Sequence, residues 1–243
     1  MLELDHSRRG LVSQLVGVAT AAGRALVHGP WGIGKTTLLF EAARQVRASG
    51  LRTGYAPRTL GLGDVVAALE QAYGAAHPDV PARRRRSSLR VACELDVGLL
   101  LLDGFSARGS ALVGFLRSLR GKRLGVIAAA DVEHPRDLTA VRAVDLAYRE
   151  VVVPRLSTQA LGRHLDRLIE ASPSPFTIST ANRGELIRLA HGCPGVIERA
   201  WARLGDARYW RDGQPLLDTV AADLRLQWLH ETRKRDTDER RPN

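Results

Sequence analysis

The sequence predicts an α/β protein: a five-stranded parallel sheet sandwiched by helices, followed by a small C-terminal helical domain. Three observations predict it. Short apolar runs without polar alternation recur between stretches of helical period, as in a parallel sheet covered on both faces. Such runs stop after Pro154. The first of them leads through a glycine-rich turn straight into a helix.

Taken in order, residues 7 to 22 carry Leu11, Leu15, Val18 and Ala19 at helical spacing, with Ser7 as the expected cap. Residues 24 to 28 read as a buried strand, and 37 to 47 as a helix with Leu39, Ala42, Ala43 and Val46 on one stripe. A weaker strand follows at 51 to 56. A helix from Gly63 to about Tyr73 presents Val65, Val66 and Leu69. Residues 78 to 88 hold two prolines and four consecutive arginines and read as a loop, with a short helix over 89 to 95. The run 97 to 102 is a second buried strand, ending at Asp103. A helix over 110 to 120 turns Leu112, Phe115, Leu116 and Leu119 inward. Strands at 123 to 130, ending at Asp131, and at 149 to 154 complete five. Helices are then expected at 158 to 171 (capped by Ser157), 180 to 191, 194 to 204 and 215 to 231, with a break at 172 to 175. Residues 232 to 243 mix charges with almost no apolar side chain and read as a disordered tail.

The chain has 243 residues, 44% of them hydrophobic, enough for a real core. Cys93 and Cys193 are too far apart for a zinc knuckle and read as small buried side chains in a reducing cytoplasm. The acidic start lacks a signal-peptide layout, and no apolar stretch is long enough to span a membrane, so a cytoplasmic protein is expected. The net charge of +10 argues for a polyanionic partner. There are thirty-three arginines against three lysines, a compositional bias that weakens any one arginine cluster as evidence.

Residues 29 to 37, Gly29-Pro30-Trp31-Gly32-Ile33-Gly34-Lys35-Thr36-Thr37, match the phosphate-binding pattern G-x-x-x-x-G-K-[ST] without mismatch. One of the three lysines stands where the pattern requires lysine. A compact ammonium can bridge two phosphates, and a broad guanidinium cannot fold into the same loop. The glycines let backbone N–H groups approach phosphate oxygens, and the helix N-terminus adds positive charge. Lys35 is expected on the β- and γ-phosphates of ATP, and the Thr36 hydroxyl on Mg²⁺. Asp103 lies at the carboxyl end of a buried strand, where ligands of such sheets bind, and is expected to hold the same Mg²⁺. Its other reading is the first residue of an Asp-Gly turn.

The loop lysine, the apolar strand ending in Asp103, the further strand ending in Asp131 and the small helical domain with Gly192-Cys193-Pro194 together resemble the AAA+ and related signal-transduction ATPases. Within them the layout looks most like compact bacterial transposition-regulator ATPases. The resemblance covers about residues 7 to 205. It implies a P-loop nucleotide-binding domain at 1–154, a helical lid at 155–231 and the tail beyond. It places Pro194 near the adenine, although a plain helix boundary reads equally well. Three positions depart from the pattern. Gly104 follows Asp103 where a water-orienting glutamate usually stands, which implies slow hydrolysis. Asp131 replaces the usual Asn, Thr or Ser, and is retained as a catalytic candidate with Lys35 and Asp103. Gly195 replaces the arginine of the helical domain, with Arg199 one turn later. The resemblance also implies a ring or filament of like subunits. Arg142 and Arg149 are then candidate arginine fingers, or plain solvated charges.

Arg83, Arg84, Arg85 and Arg86, with Arg90, form a basic segment without interleaved aromatics. It reads either as a solvated loop or as a sequence-independent contact to the backbone of duplex DNA. Two functions follow. One is an ATPase that assembles with nucleotide, binds DNA and recruits a transposase or other DNA-processing protein. The other is a nucleotide-dependent switch that acts on protein partners, hydrolyses weakly and ignores DNA.

Overall fold

The computed structural model describes residues 6–57, 59, 61–74, 79–105, 110–132, 148–171 and 177–238. The chain divides into two compact units, Met1–Gly29 with Lys35–Val153, and Pro30–Gly34 with Pro154–Asn243.

In the first unit, α1 (His6–Thr20) leads to β1 (Arg24–Gly29), α2 (Lys35–Ala48), β2 (Arg52–Ala56) and α3 (Leu62–Tyr73). Then come α4 (Ala82–Leu95), β3 (Gly98–Leu102), α5 (Ser110–Ser118), β4 (Leu124–Asp131) and β5 (Arg149–Val152). The five strands are all parallel, in the order β2-β3-β4-β1-β5. Strands β3 and β4 are buried along their length, apart from the half-exposed Asp131. Their side chains alternate between faces. Leu100, Leu102, Val126, Ala128 and Ala130 join Leu69 of α3, Leu89 of α4 and Leu116 of α5 in one apolar layer. Leu99, Leu101, Ile127 and Ala129 are equally buried on the other face, the side of α1 and α2. Gly125 of β4 permits that close fit: a Cβ there would lie 2.9 Å from the backbone Cα and O of Ala19.

Two expectations in this unit are corrected. The helix α1 begins at His6, so Ser7 lies inside it rather than capping it. The arginine segment is helical, not a loop. The prolines precede the helix, with Pro81 at its N-cap, where a missing N–H costs nothing. The carbonyl of Pro81 accepts from the N–H groups of Arg84 (2.8 Å) and Arg85 (3.1 Å). Leu89 and Cys93, four residues apart, anchor the inner face.

The second unit contains α6 (Thr158–Ala171), α7 (Thr180–Leu189), α8 (Pro194–Leu204) and α9 (Leu217–Asp238), and a two-stranded hairpin, β6 (Trp210–Arg211) and β7 (Gln214–Pro215). Ser157 Oγ accepts from the N–H of Ala160 at the start of α6 (3.2 Å), and Ser179 Oγ caps α7 through Asn182 (3.2 Å). Leu161, Leu165, Leu186, Ile197, Trp201 and Val220 belong to the unit's own core. The hairpin was not expected. Its turn, Asp212-Gly213, takes φ of 50° and 73°, the left-handed pair that a tight two-residue hairpin demands. The tail reading is also corrected, because α9 runs through residue 238. Arg233, Lys234 and Arg235, good helix formers, extend a helix that is already nucleated.

Cys93 and Cys193 are both buried, and neither forms a disulfide. Among the described residues no helix is long and apolar enough to cross a membrane.

Candidate functional site

The sheet order places the ends of β1, β4 and β3 side by side. β4 lies between β1 and β3, with Asp131 opposite Gly29 in the β1–β4 register. Asp103 directly follows β3, and Lys35 opens α2. The neighbours 35 and 36 are thereby brought together with 103 and 131, which are far away in sequence.

Lys35 is buried, with 7% of its side chain exposed. Its ammonium donates to the Gly29 carbonyl (2.9 Å) and pairs with Asp131 Oδ1 at 2.6 Å. Thr36 Oγ1 donates to Asp103 Oδ2 at 2.7 Å. The other carboxylate oxygen, Oδ1, accepts the N–H of Gly104 at 2.9 Å. The Asp103 backbone is held as well: its N–H donates to Ala56 O (2.9 Å) and its carbonyl accepts from Thr59 N–H (3.0 Å). Tyr55 of β2 donates its hydroxyl to Asp103 Oδ2 at 3.0 Å, a contact that the sequence reading missed. Burial first, and then the Asp103 charge and hydrogen bond, push the Tyr55 hydroxyl above the ordinary tyrosine range, so it remains a donor.

These groups suit a nucleoside triphosphate with a divalent cation. The first N–H groups of a helix lack intrahelical partners and favour an anion. Lys35 adds a full positive charge beside them. Thr36 Oγ1 and Asp103 Oδ2 form a pair of hard oxygen donors. Among the described residues no cluster of three or more His, Cys, Asp or Glu could hold a metal alone. A cation here would need its other ligands from phosphate and water, as Mg²⁺ commonly takes them.

Residues 30 to 34, the middle of the glycine loop, pack with the helical unit. Gly32 O accepts from the N–H of Gly195 at 2.8 Å. Gly32 has φ of 75°, and a Cβ on it would lie 3.2 Å from Val196 N and Cγ2, so this position admits glycine for two reasons. The Trp31 indole donates Nε1–H to Glu231 Oε2 (3.0 Å), and the Arg199 guanidinium lies over its ring at 4.2 Å. Arg199, considered as a substitute for the missing arginine, is thus stacked on Trp31 and also donates to Gly195 O (3.0 Å). Pro194 is buried at the first turn of α8.

The five arginines of the basic segment separate into two groups. Arg85 makes a two-pronged pair with the buried Glu70 of α3. Arg90 donates to Ser118 Oγ (2.8 Å) and covers the Phe115 ring at 5.6 Å. Both tie α4 into the fold. Arg83 and Arg84 are exposed, and Arg86 is half-exposed. Arg149 is exposed at the start of β5. Arg142 lies outside the described residues.

No protein-family model matches the sequence, and no curated protein matches it. Solved structures do resemble the fold. Cdc6p from Pyrobaculum aerophilum superposes with a TM-score of 0.63 at 14% identity, covering 86% of this chain and 63% of that one. The ORC1 protein of Aeropyrum pernix in complex with DNA gives 0.60 at 16% identity, covering 91% of this chain and 66% of that one. Domain III of the replication initiation protein DnaA from Thermotoga maritima gives 0.53 at 13% identity, over 83% and 84% of the two chains. This chain therefore spans less than two thirds of the length of the first two. The parallel order β2-β3-β4-β1-β5, with Lys35 after β1 and Asp103 after β3, and these three likenesses together give the chain the fold of the AAA+ P-loop ATPases.

Proposed function

We propose that the chain binds ATP with Mg²⁺ through Gly29 to Thr37 and Asp103, hydrolyses it slowly, and uses its occupancy to control assembly on DNA. The observation that carries this reading is the convergence of Lys35, Thr36, Asp103 and Asp131. Lys35 would exchange part of its present pairing for the β- and γ-phosphates. Thr36 and Asp103 would hold Mg²⁺, whose charge offsets that of the phosphate oxygens. Pro194 is proposed beside the adenine.

Slow hydrolysis is argued from two features. Gly104 offers no carboxylate to orient a water molecule. Asp131, the other carboxylate of the site, already has its Oδ1 engaged by the Lys35 ammonium at 2.6 Å. It remains the candidate for orienting water.

DNA contact is argued from the +10 charge and from Arg83, Arg84 and Arg86 on the outer part of α4. The likeness to an ORC1 protein solved with DNA supports this direction. Nucleotide-dependent rings or filaments, with Arg149 or Arg142 acting in trans, and recruitment of a transposase or other DNA-processing protein complete the proposal. The engagement of Arg85 and Arg90 within the fold favours the second reading, a switch that acts on protein partners alone, because it leaves fewer arginines for DNA.

Equilibrium binding of a fluorescent ATP analogue to the full chain and to Lys35→Ala tests the core of the proposal. Binding should be lost in the variant. Unchanged affinity would sink the nucleotide reading.

A further inference from the structure

The side chain of Asp103 is held by three donors, and one of them comes from neither the glycine loop nor the turn after β3. Oδ1 takes the N–H of Gly104, which belongs to the same turn. Oδ2 takes two hydroxyls, Thr36 Oγ1 at 2.7 Å and Tyr55 OH at 3.0 Å. A carboxylate oxygen offers about two acceptor sites, so both sites of Oδ2 are in use. If a cation takes the Oδ2 site that Thr36 now fills, the Thr36 hydroxyl offers that cation a lone pair and must send its hydrogen elsewhere. Tyr55 is then the side-chain donor that keeps the carboxylate plane in place. Metal-binding carboxylates depend on outer hydrogen bonds of this kind for their orientation.

Tyr55 is itself well placed for the task. It sits on β2, the outermost strand on its side of the sheet, paired with Leu101 of β3. Its ring lies against Phe40 of α2, with centroids 4.8 Å apart and planes tilted by 44°. The same strand end holds the Asp103 main chain, through Ala56 O and Thr59 N–H. The Thr59 hydroxyl is wholly buried without a hydrogen-bond partner among the described residues, so a bound water would satisfy it.

We propose that Tyr55 is a positioning residue for Asp103, and that its hydroxyl sets how tightly the site takes the cation of its nucleotide. This rests on the reading of the site as one for ATP and Mg²⁺.

The test is a Mg²⁺ titration of fluorescent ATP-analogue binding to the full chain, with binding in excess chelator as the baseline. Tyr55→Phe removes one hydroxyl and keeps the ring. The half-saturating Mg²⁺ concentration should rise about 10-fold, as for loss of an outer partner of a metal ligand. Binding without Mg²⁺ should stay at the wild-type value, which a merely structural role would not predict. Phe40→Ala, at an exposed position, should shift the Mg²⁺ dependence in the same direction by a smaller factor. An unchanged or lower Mg²⁺ requirement in Tyr55→Phe overturns the proposal alone. If that variant does not fold, an unchanged requirement in Phe40→Ala overturns it. A wild-type chain that binds no nucleotide with or without Mg²⁺ overturns the nucleotide reading, and this proposal with it.

Discussion

The salt dependence of DNA binding tests the separation of the arginines quantitatively. Each phosphate neutralised on duplex DNA contributes about −0.9 to the slope of log affinity against log salt. The linear sequence offers five arginines between positions 83 and 90, for a slope of about −4.5. The structure removes two, since Arg85 is committed to Glu70 and Arg90 to Ser118 and Phe115. Arg83, Arg84 and Arg86 remain, for a slope of about −2.7 from this segment. Between about 50 and about 200 mM salt, three contacts cost about 40-fold in affinity and five cost about 500-fold. Fluorescence anisotropy of a labelled duplex across that range separates the two cases. Changing Arg83, Arg84 and Arg86 to alanine together should flatten the slope by about 2.7. Arg85→Ala should leave the slope alone and instead lower the thermal midpoint, because it strips the partner from a carboxylate that is only 4% exposed. A wild-type slope near −4.5 that Arg85→Ala also flattens would refute the reasoning. A chain that fails to retain duplex at low salt would remove DNA from the proposal.

Asp131→Asn should leave Lys35 without its charged partner, lowering the midpoint of the nucleotide-free chain and tightening ATP-analogue binding about 10-fold, or 1.4 kcal/mol; unchanged or weaker binding argues against competition between Asp131 and phosphate. Gly125→Ala should cost about 1–3 kcal/mol in denaturant unfolding, because its Cβ would meet the Ala19 backbone, and an unchanged transition would contradict that close approach of α1 to β4. The donors Arg44 and then Gln45 lower the pKa of Glu41 from 4.5 to about 2. A depressed carboxylate stabilises the fold above its unfolded pKa and loses that contribution as pH falls from about 4.5 to about 2. The effect is small, since Arg44 is largely exposed, and Glu41→Gln should flatten the thermal midpoint over that window; an unflattened acid limb would show that the pair is inert.

The parts of the fold that were legible in the sequence are those where one physical demand dominates. β3 and β4 are covered on both faces, so they appear as unbroken apolar runs. The glycine loop was legible because phosphate chemistry restricts every key position. The helix at 82–95 was misread over residues 82 to 88, because four arginines and two nearby prolines resemble a loop. Its helical anchors, Leu89 and Cys93, are only two residues on one inner face. The hairpin at 210–215 had a signal in Asp212-Gly213, but its strands are two residues each, too short to show a period. Thr36 and Asp103 were expected together, but two other pairs at the site were not legible. Lys35 meets Asp131 because β4 inserts between β1 and β3, and Tyr55 meets Asp103 because β2 flanks β3. Both facts depend on strand order, which residue spacing does not encode.

Strand order also bears on the difference between a motor and a switch. Gly104 could be regarded as a glutamate lost by a single substitution, but its geometry argues otherwise. Its φ is 58°, in the left-handed region, where a side chain costs about 1–2 kcal/mol. That turn lets the Gly104 N–H reach Asp103 Oδ1 at 2.9 Å, while Tyr55 and Thr36 occupy Oδ2. The backbone after β3 is therefore arranged to hold Asp103 still rather than to present a second carboxylate. The ammonium of Lys35 already has Asp131 as a counter-ion, so a phosphate must compete for it. On the proposed reading, a site whose metal-side carboxylate is held by three donors and whose lysine is already paired would register the arrival of ATP rather than turn it over rapidly, as a nucleotide-gated switch does.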